Sequence, residues 1–412
     1  MEAALVAASQ GVDVHLVENT AQLGGVARNL NTTWQGEKIQ GYLEDLIDRI
    51  RVSDSINLYL DSEVDSFTGS MGNFVTTIKT NGINGSNGGT SQKAAIEHGA
   101  VILATGGKEY KPSEYLYGNH SDILTHLDMD AALREGDERI EKAKAVVFIQ
   151  CVGSRNNENP YCSKVCCTHS LKSAIAVKTM DRRKRVYVVY RDIRSYGFRE
   201  DLYQKARELG VLFIRYDLEK MPTVRENSNK ELELSVIDHV LQMPVTIHPD
   251  LVVLASGIVP GDNKNLFEKF KVPTNSEGFL VEAHAKLRPV DFASDGLFVA
   301  GLAHYPKPLE ESIAQARAAV ARAMSILSRE SLMVGGVVAE VTPEKCAVCL
   351  TCVRTCPYDI PYIHVDGYAQ IDAAECHGCG ACVAECPGKA IKLNHFTDEQ
   401  IMAKTDALFE EA

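Results

Sequence analysis

Residues 145–180 read AVVFIQCVGSRNNENPYCSKVCCTHSLKSAIAVKTM. AVVFI is an apolar run of strand length, and SLKSAIAVKTM reads as a helix. A strand, a turn and a helix in that order open a nucleotide-binding βαβ unit, whose turn carries glycines so that phosphate can approach the backbone. Here the turn carries Cys151, Cys162, Cys166 and Cys167 instead. The alternation continues through RVYVVYR (185–191) as a second strand and DLYQKARELGVLFIRY (201–216) as a helix and strand. Residues 136–265 are therefore expected to form a nucleotide-type domain with a cysteine site in its first turn.

The chain has 412 residues and 12 cysteines, and the cysteines fall into three groups of four. Cys346, Cys349, Cys352 and Cys356 form the second group, and Cys376, Cys379, Cys382 and Cys386 the third. Disulfide frameworks belong to small secreted chains. This start has neither the basic region nor the apolar stretch of a signal peptide. Reduced thiols acting as metal ligands are the expectation. The formal net charge of -12 argues against nucleic acid and anionic membrane surfaces as partners. No run of about 18 apolar residues is present, so no bilayer-spanning helix is expected.

CAVCLTCVRTCP (346–357) and CHGCGACVAECP (376–387) each read C-x2-C-x2-C-x3-C-P. That is the run of a two-cluster bacterial ferredoxin, in which three thiolates on a tight loop meet one cubane and the fourth reaches the other. Cys346, Cys349, Cys352 and Cys386 are assigned to one [4Fe-4S] cluster, and Cys376, Cys379, Cys382 and Cys356 to the other. Pro357 and Pro387 break the chain after each run. Gly378 and Gly380 are expected to let backbone approach the inorganic sulfides. A zinc site commonly uses separated C-x2-C pairs, which these tandem runs are not. The module is placed at 338–395, with YIHVDGYAQIDAAE supplying short strands and a helical tail at 396–412.

The opening residues read as a helix, through Ala4, Leu5 and Ala8, then Gly11 and the strand VDVHLV. Glu18 ends that strand, where a dinucleotide fold places an acidic residue on ribose hydroxyls. That residue follows the glycine fingerprint by about 20 positions. No G-x-G-x-x-G precedes Glu18 here. The first strand and phosphate loop are absent, and that strand is central in the 3-2-1-4 order. The expectation is that the start lies inside a longer parent or that another chain supplies the strand. Gly24, Gly25 and Arg28 follow the second strand; VILATGG (101–107) supplies Thr105 and Gly106. LVVLASGIVP (251–260) repeats that pattern. GLFVAGLAHYPKPLEESIAQARAAVARAM (296–324) reads as a strand, a loop and an Ala-rich helix starting near Leu309. Its N-terminal amides are suited to an anionic ring edge. Gly301, Ser312 and Gln315 are expected to approach an isoalloxazine, and the other residues named to line FAD. Ser312 and Gln315 capping the helix is the plainer alternative. The fold class is α/β: two dinucleotide-binding domains resembling the disulfide-reductase flavoproteins, plus the α+β ferredoxin domain. The first domain takes 1–135 and returns over 266–333.

Within the cysteine-bearing turn, Cys162 and Cys166 would share a face if that segment starts a helix, with Cys151 completing a four-thiolate cup. A third iron–sulfur cluster is favoured there. A redox-active pair of Cys166 and Cys167 is the alternative, and spacing leaves zinc open. Lys164 is read as solvated, with tuning of the cluster's charge as the alternative, and Arg191, Arg194 and Arg199 as solvated, with a partner or nucleotide phosphate as the alternative; His377, beside Cys376, is a candidate for affecting its cluster's potential, and 81–93 reads as a hairpin turn.

QCVGSRNNENPYCSKVCC, VVYRDIRSYG, the flavin-type segments, the tandem ferredoxin runs and the tail HFTDEQIMAKTDAL together resemble the heterodisulfide reductase A subunit family. The resemblance covers almost the whole chain but lacks the family's N-terminal portion. It implies a cytoplasmic electron-transfer flavoprotein of anaerobes with FAD and [4Fe-4S] clusters. It also implies electron bifurcation between a hydrogenase- or formate-dehydrogenase-type donor, ferredoxin and B/C-type acceptor subunits, in a complex with a homodimeric arrangement. Two other readings stand beside it. One is a ferredoxin-coupled NAD(P)H oxidoreductase like the glutamate synthase small subunit. The other is a cluster-wiring subunit without FAD.

Overall fold

The computed structural model describes residues 1–80, 92–331, 336–373 and 375–409; most of the expected turn at 81–93 lies outside them. The chain opens with α1 (Glu2–Ser9), β1 (Val14–Val17), α2 (Ile39–Arg51) and β2 (Ile56–Tyr59). α2 buries Ile39, Leu43, Leu46 and Ile50, the apolar stripe of an amphipathic helix. β1 pairs in parallel with β2. An antiparallel meander follows, β3 (Ser62–Ser70), β4 (Asn73–Thr80) and β5 (Gln92–His98), and then β6 (Val101–Leu103) and β7 (Gly107–Glu109).

The second unit starts with β8 (Ile123–Thr125) and α3 (His126–Glu135), where Thr125 and Asp128 form a reciprocal capping box. After α4 (Glu138–Lys142) come β9 (Ala145–Val152), α5 (Cys166–Met180), β10 (Arg185–Tyr190), α6 (Glu200–Glu208) and β11 (Leu212–Arg215). The antiparallel strands β12 (Thr223–Glu226), β13 (Leu232–Ile237) and β14 (Pro244–Ile247) precede β15 (Leu251–Ser256). The main sheet is parallel, in the order β11-β10-β9-β15-β8. β15 is buried throughout and β9 almost so, which is why both read as continuous apolar runs. This unit begins earlier than residue 136. β8 adds to β15, and Leu124, Met129 and Ala132 share a core with Leu171 and Ala174 of α5. Three residues of strand carry too little periodicity to be separated from loop.

β16 (Ile258–Pro260) pairs antiparallel with β7 and returns the chain to the first unit. There α7 (Lys264–Lys269), β17 (Leu297–Val299) and α8 (Leu309–Leu327) complete it. β17 pairs in parallel with β6. Among the described residues, β1–β2 and β6–β17 are separate two-stranded sheets. β1 and β6 are the strands that would flank the central one in a 3-2-1-4 order.

The C-terminal region contains β18 (Ala339–Val341), α9 (Thr351–Thr355), β19 (Tyr362–Ile363), β20 (Ala369–Gln370), α10 (Ala381–Ala384) and β21 (Ile391–Leu393). β18 pairs with β21, and β19 with β20. The two halves repeat one turn: Leu350 before α9 and Gly380 before α10 both take a left-handed conformation, φ 62° and 75°. α11 (Asp398–Phe409) follows, with no buried residue.

Candidate iron–sulfur and flavin sites

The repeated turn sets three cysteines of each ferredoxin run on one tight loop. A cavity in this region is lined by Cys346, Cys349 and Cys352 together with Cys386 of the other run, closed by Val341, Ile363 and Ile391. On the other side, burial pushes the Cys382 thiol up to about 11, and Cys376, Cys356 and Cys379 add to it as neighbouring charges. Cys356 thus stands with the second triad. The sulfurs have amide donors ready: Ala369 N–H to Cys346 Sγ, Ala339 N–H to Cys376 Sγ and Ala390 N–H to Cys386 Sγ, each 3.3 Å. Such donors stabilise thiolate ligands and tune cluster potential, so these residues fit a pair of cubanes. Gly378 has a packing reason of its own. A Cβ there would lie 2.3 Å from the Val337 carbonyl oxygen.

The inserted site is built at the carboxyl end of β9. Cys151 and Lys164 adopt φ of 62° and 60°, turning the chain sharply at both ends of the loop. α5 begins only at Cys166, so Cys162 reaches the site from the loop and not from a shared helical face. The four thiols lie close enough to act on one another. Burial pushes Cys166 well above its ordinary value, and Cys167, Cys151 and Cys162 raise it further. Burial likewise pushes Cys167 up to about 12. Without metal both are therefore neutral thiols. Cys166 donates to the Ser256 carbonyl (3.5 Å) and Cys167 to that of Asp192 (3.7 Å). Ligation releases those protons and turns the sulfurs from donors to acceptors. Among the described residues no three Cys, His, Asp or Glu side chains converge on a position for a single ion. A cubane asks for a wider cup than zinc, because each thiolate bonds its own iron.

This loop is packed to close tolerance. Gly153 has φ 67°, and a Cβ on it would meet the Tyr110 ring at 2.0 Å. Gly153→Ala combines overpacking with a left-handed alanine. It is expected to destabilise the protein by about 2–4 kcal/mol, checked by urea denaturation.

A cleft lies between α1, α2, the β6 turn and α8; of the residues expected at the flavin only Gly301 and Ser312 line it, while Glu18, Gly24, Gly25, Arg28, Thr105 and Gly106 are not part of its lining. Its walls include Met1, Tyr42, Leu43, Ala104, Gly301 and Ser312. Glu18 ends β1 and accepts from Thr20 N–H (2.9 Å) and the Thr20 hydroxyl (2.8 Å). Gly24 and Gly25 take φ 115° and 48°, and a Cβ on Gly24 would press on Arg28 and Leu43. Arg28 donates to the Leu23 carbonyl at 3.2 Å. Thr105 is exposed and Gly106 turns at φ 74°. Ser312 donates to the Pro308 carbonyl at 3.1 Å, so its hydroxyl serves its own helix. Gln315 is outside the cleft lining; its Oε1 accepts from Gly301 N–H (2.9 Å) and its Nε2 faces His304 Nδ1 (2.8 Å). Neither side chain caps α8, whose N-terminus has no side-chain cap bond.

Sequence reading missed the group beside them. Lys307 is buried and donates to the Gly301 carbonyl at 2.6 Å, and His304 Nε2 meets Glu282 at 2.6 Å. Burial, with Lys164 next in effect, brings Lys307 down to about 8. A lysine between two prolines in HYPKP was the available signal. Lys164 also lies 5.6 Å from the Tyr305 ring, so the cysteine loop abuts the segment entering α8. Arg199, read as solvated, is buried and pairs with Glu310 at 2.5 Å. His377 stacks on Tyr358, ring centroids 3.9 Å apart.

A second buried network ties the units together. Asp130 of α3, fully buried, accepts from Asn31 N–H (2.9 Å) and from Lys172 of α5 (3.0 Å), and lies 2.9 Å from His169 Nε2. Lys172 also donates to the Thr32 carbonyl at 3.0 Å. The helix that begins with Cys166 and Cys167 is thereby held to the segment that follows Gly24, Gly25 and Arg28.

A family model described as "4Fe-4S dicluster domain" matches residues 339–387. The A subunit of the H(2):CoB-CoM heterodisulfide,ferredoxin reductase of Methanothermobacter thermautotrophicus is 36% identical over 337 residues, covering 78% of this chain and 50% of that protein. Over those residues the chain belongs with the A subunits of heterodisulfide reductases. The A subunit of the Ferredoxin:CoB-CoM heterodisulfide reductase of Methanosarcina acetivorans is 30% identical over 366 residues, 78% of this chain and 45% of that one. The chain spans about half the length of these curated relatives. Among solved structures, thioredoxin reductase of T. acidophilum superposes with a TM-score of 0.51 at 16% identity, covering 79% of this chain and 93% of that one. Lactococcus lactis thioredoxin reductase gives 0.52 at 12%, covering 79% and 95%. These likenesses bear on the fold: an α/β disulfide-reductase-type body, here joined to a 4Fe-4S dicluster module. No helix among the described residues is long and apolar enough to cross a membrane.

Proposed function

We propose that this chain is a flavin and iron–sulfur electron-transfer oxidoreductase component of a heterodisulfide-reductase-type complex. The observation that carries this reading is the cup of four mutually influencing thiols where a nicotinamide-binding turn would lie. That cup abuts the entrance to α8. FAD, when bound, supplies conversion between two-electron and one-electron steps, and the cubanes carry the single electrons. The protein's part is placement. Cys151, Cys162, Cys166 and Cys167 hold one cluster, and the crossed sets from the ferredoxin runs hold two more. Gly301 lines the cleft, the Gly24–Gly25–Arg28 turn with Thr105 and Gly106 is assigned to the FAD beyond it, and Glu18 to the ribose. Lys307, positively charged and buried, holds a proton donor against Gly301 at the cleft wall.

The relatives' names pair a heterodisulfide with ferredoxin, and one adds H(2). On that basis we assign bifurcation between a hydrogenase- or formate-dehydrogenase-type donor, ferredoxin and a B/C-type acceptor, in the cytoplasm. A glutamate-synthase-like NAD(P)H oxidoreductase would need glycines after β9, where this chain has cysteines; NADPH should therefore leave its flavin unbleached. The other alternative is a wiring subunit that binds the clusters without FAD. Acid extraction decides between them. The expected result is one FAD and about twelve irons per chain, four for each cubane. Full iron without FAD, with a reading frame shown to begin at Met1, would establish the wiring role, and about eight irons would remove the inserted cluster.

A further inference from the structure

The inserted site differs from the ferredoxin sites in what faces its sulfur. Among the described residues, Cys346, Cys376 and Cys386 accept from backbone amides. Cys151 Sγ instead meets the guanidinium of Arg155, Nη1 to Sγ 3.8 Å. Arg155 is not a loose surface cation. Its side chain is 19% exposed, and its Nη2 donates to Asp192 Oδ2 at 2.6 Å. Its carbonyl accepts from Arg191 at 2.9 Å, which fixes the turn from which it projects. Arg155 itself sits at φ 57°, a left-handed conformation that aims the side chain back at Cys151.

We propose that Arg155 is a positioning residue that raises the reduction potential of the cluster held by Cys151, Cys162, Cys166 and Cys167. The inference rests on the cluster reading given above. Reduction adds one electron to an already anionic cluster; no bond breaks and no proton moves, because a guanidinium stays charged throughout. Burial of Cys166 and Cys167 opposes that extra negative charge. A fixed cation on the Cys151 sulfur offsets the burial and favours the reduced state. Asp192 moderates the effect, since its carboxylate shares the same guanidinium.

The test is a redox titration of the full chain with a dithionite-type one-electron reductant, following each cluster's paramagnetic signal. Iron content is measured on the same samples. About twelve irons in the unsubstituted chain establish the cluster; a missing third signal there would strike the cluster reading and not the role of Arg155. With that signal present, Arg155→Gln should make reduction of the inserted cluster at least tenfold less favourable, about 59 mV lower for one electron. The two ferredoxin-type signals should not move. Arg155→Lys should recover part of the loss, and Asp192→Asn should shift the potential upward. An unchanged potential in Arg155→Gln overturns the proposal. If that variant loses iron, an unchanged potential in Asp192→Asn overturns it.

Discussion

Asp130→Ala is expected to lower the unfolding free energy by about 3–5 kcal/mol, the cost of stranding the partner of a buried ion pair. Chemical denaturation of the full chain measures it. Asp130 is fully buried; its carboxylate holds Lys172 and the Asn31 amide and lies beside His169. Burial alone would raise its pKa. His169, Lys172 and the Asn31 amide outweigh that and hold the carboxyl well below the ordinary carboxylate range. The sign follows. A depressed carboxylate contributes stability above the unfolded-state value, and this is lost only as pH falls toward the folded one. Asp130→Asn, which keeps the shape and loses the charge, should therefore be less stable than wild type at neutral pH, with the deficit shrinking as pH falls below the unfolded-state carboxylate value. An alanine variant within about 1 kcal/mol of wild type would mean that the network contributes little net energy.

The second large effect tests the crossing of the ferredoxin ligands. Cys386→Ala should remove about four irons per chain. The cluster lost should be that of Cys346, Cys349 and Cys352, whose cavity Cys386 lines. Alkylation followed by mass spectrometry reads this directly, because thiols released from iron become reactive. Cys346, Cys349 and Cys352 should label in this variant while Cys376, Cys379 and Cys382 stay protected. Cys356→Ala should give the reverse pattern. Labelling of the run that carries the substituted residue would refute the crossed assignment.

Local chemistry made much of this architecture legible. Each ferredoxin run specifies its own loop, and β9 and β15 announce double burial through unbroken apolar residues. The shift from strand to helix around the cysteine turn placed the inserted site. What stayed hidden depends on contacts between distant residues. Asn31 and Asp130 are 99 positions apart, and Thr32 and Lys172 are 140. No periodicity reports such pairs. Arg199 looked solvated because its partner, Glu310, is 111 positions away. Cys162 was offered a helical face on spacing alone, but Lys164 turns left-handed and the helix waits until Cys166. Gly378 answers to Val337, across the module, as well as to any cluster.

β1 and β6 each have a hydrogen-bonded neighbour on one side only among the described residues. A short strand with a bare edge is a template: its free amides and carbonyls accept any extended peptide of suitable register. A single extended segment seated between β1 and β6 would join β1–β2 and β6–β17 into one sheet, and the amides on both edges would then exchange with deuterium more slowly.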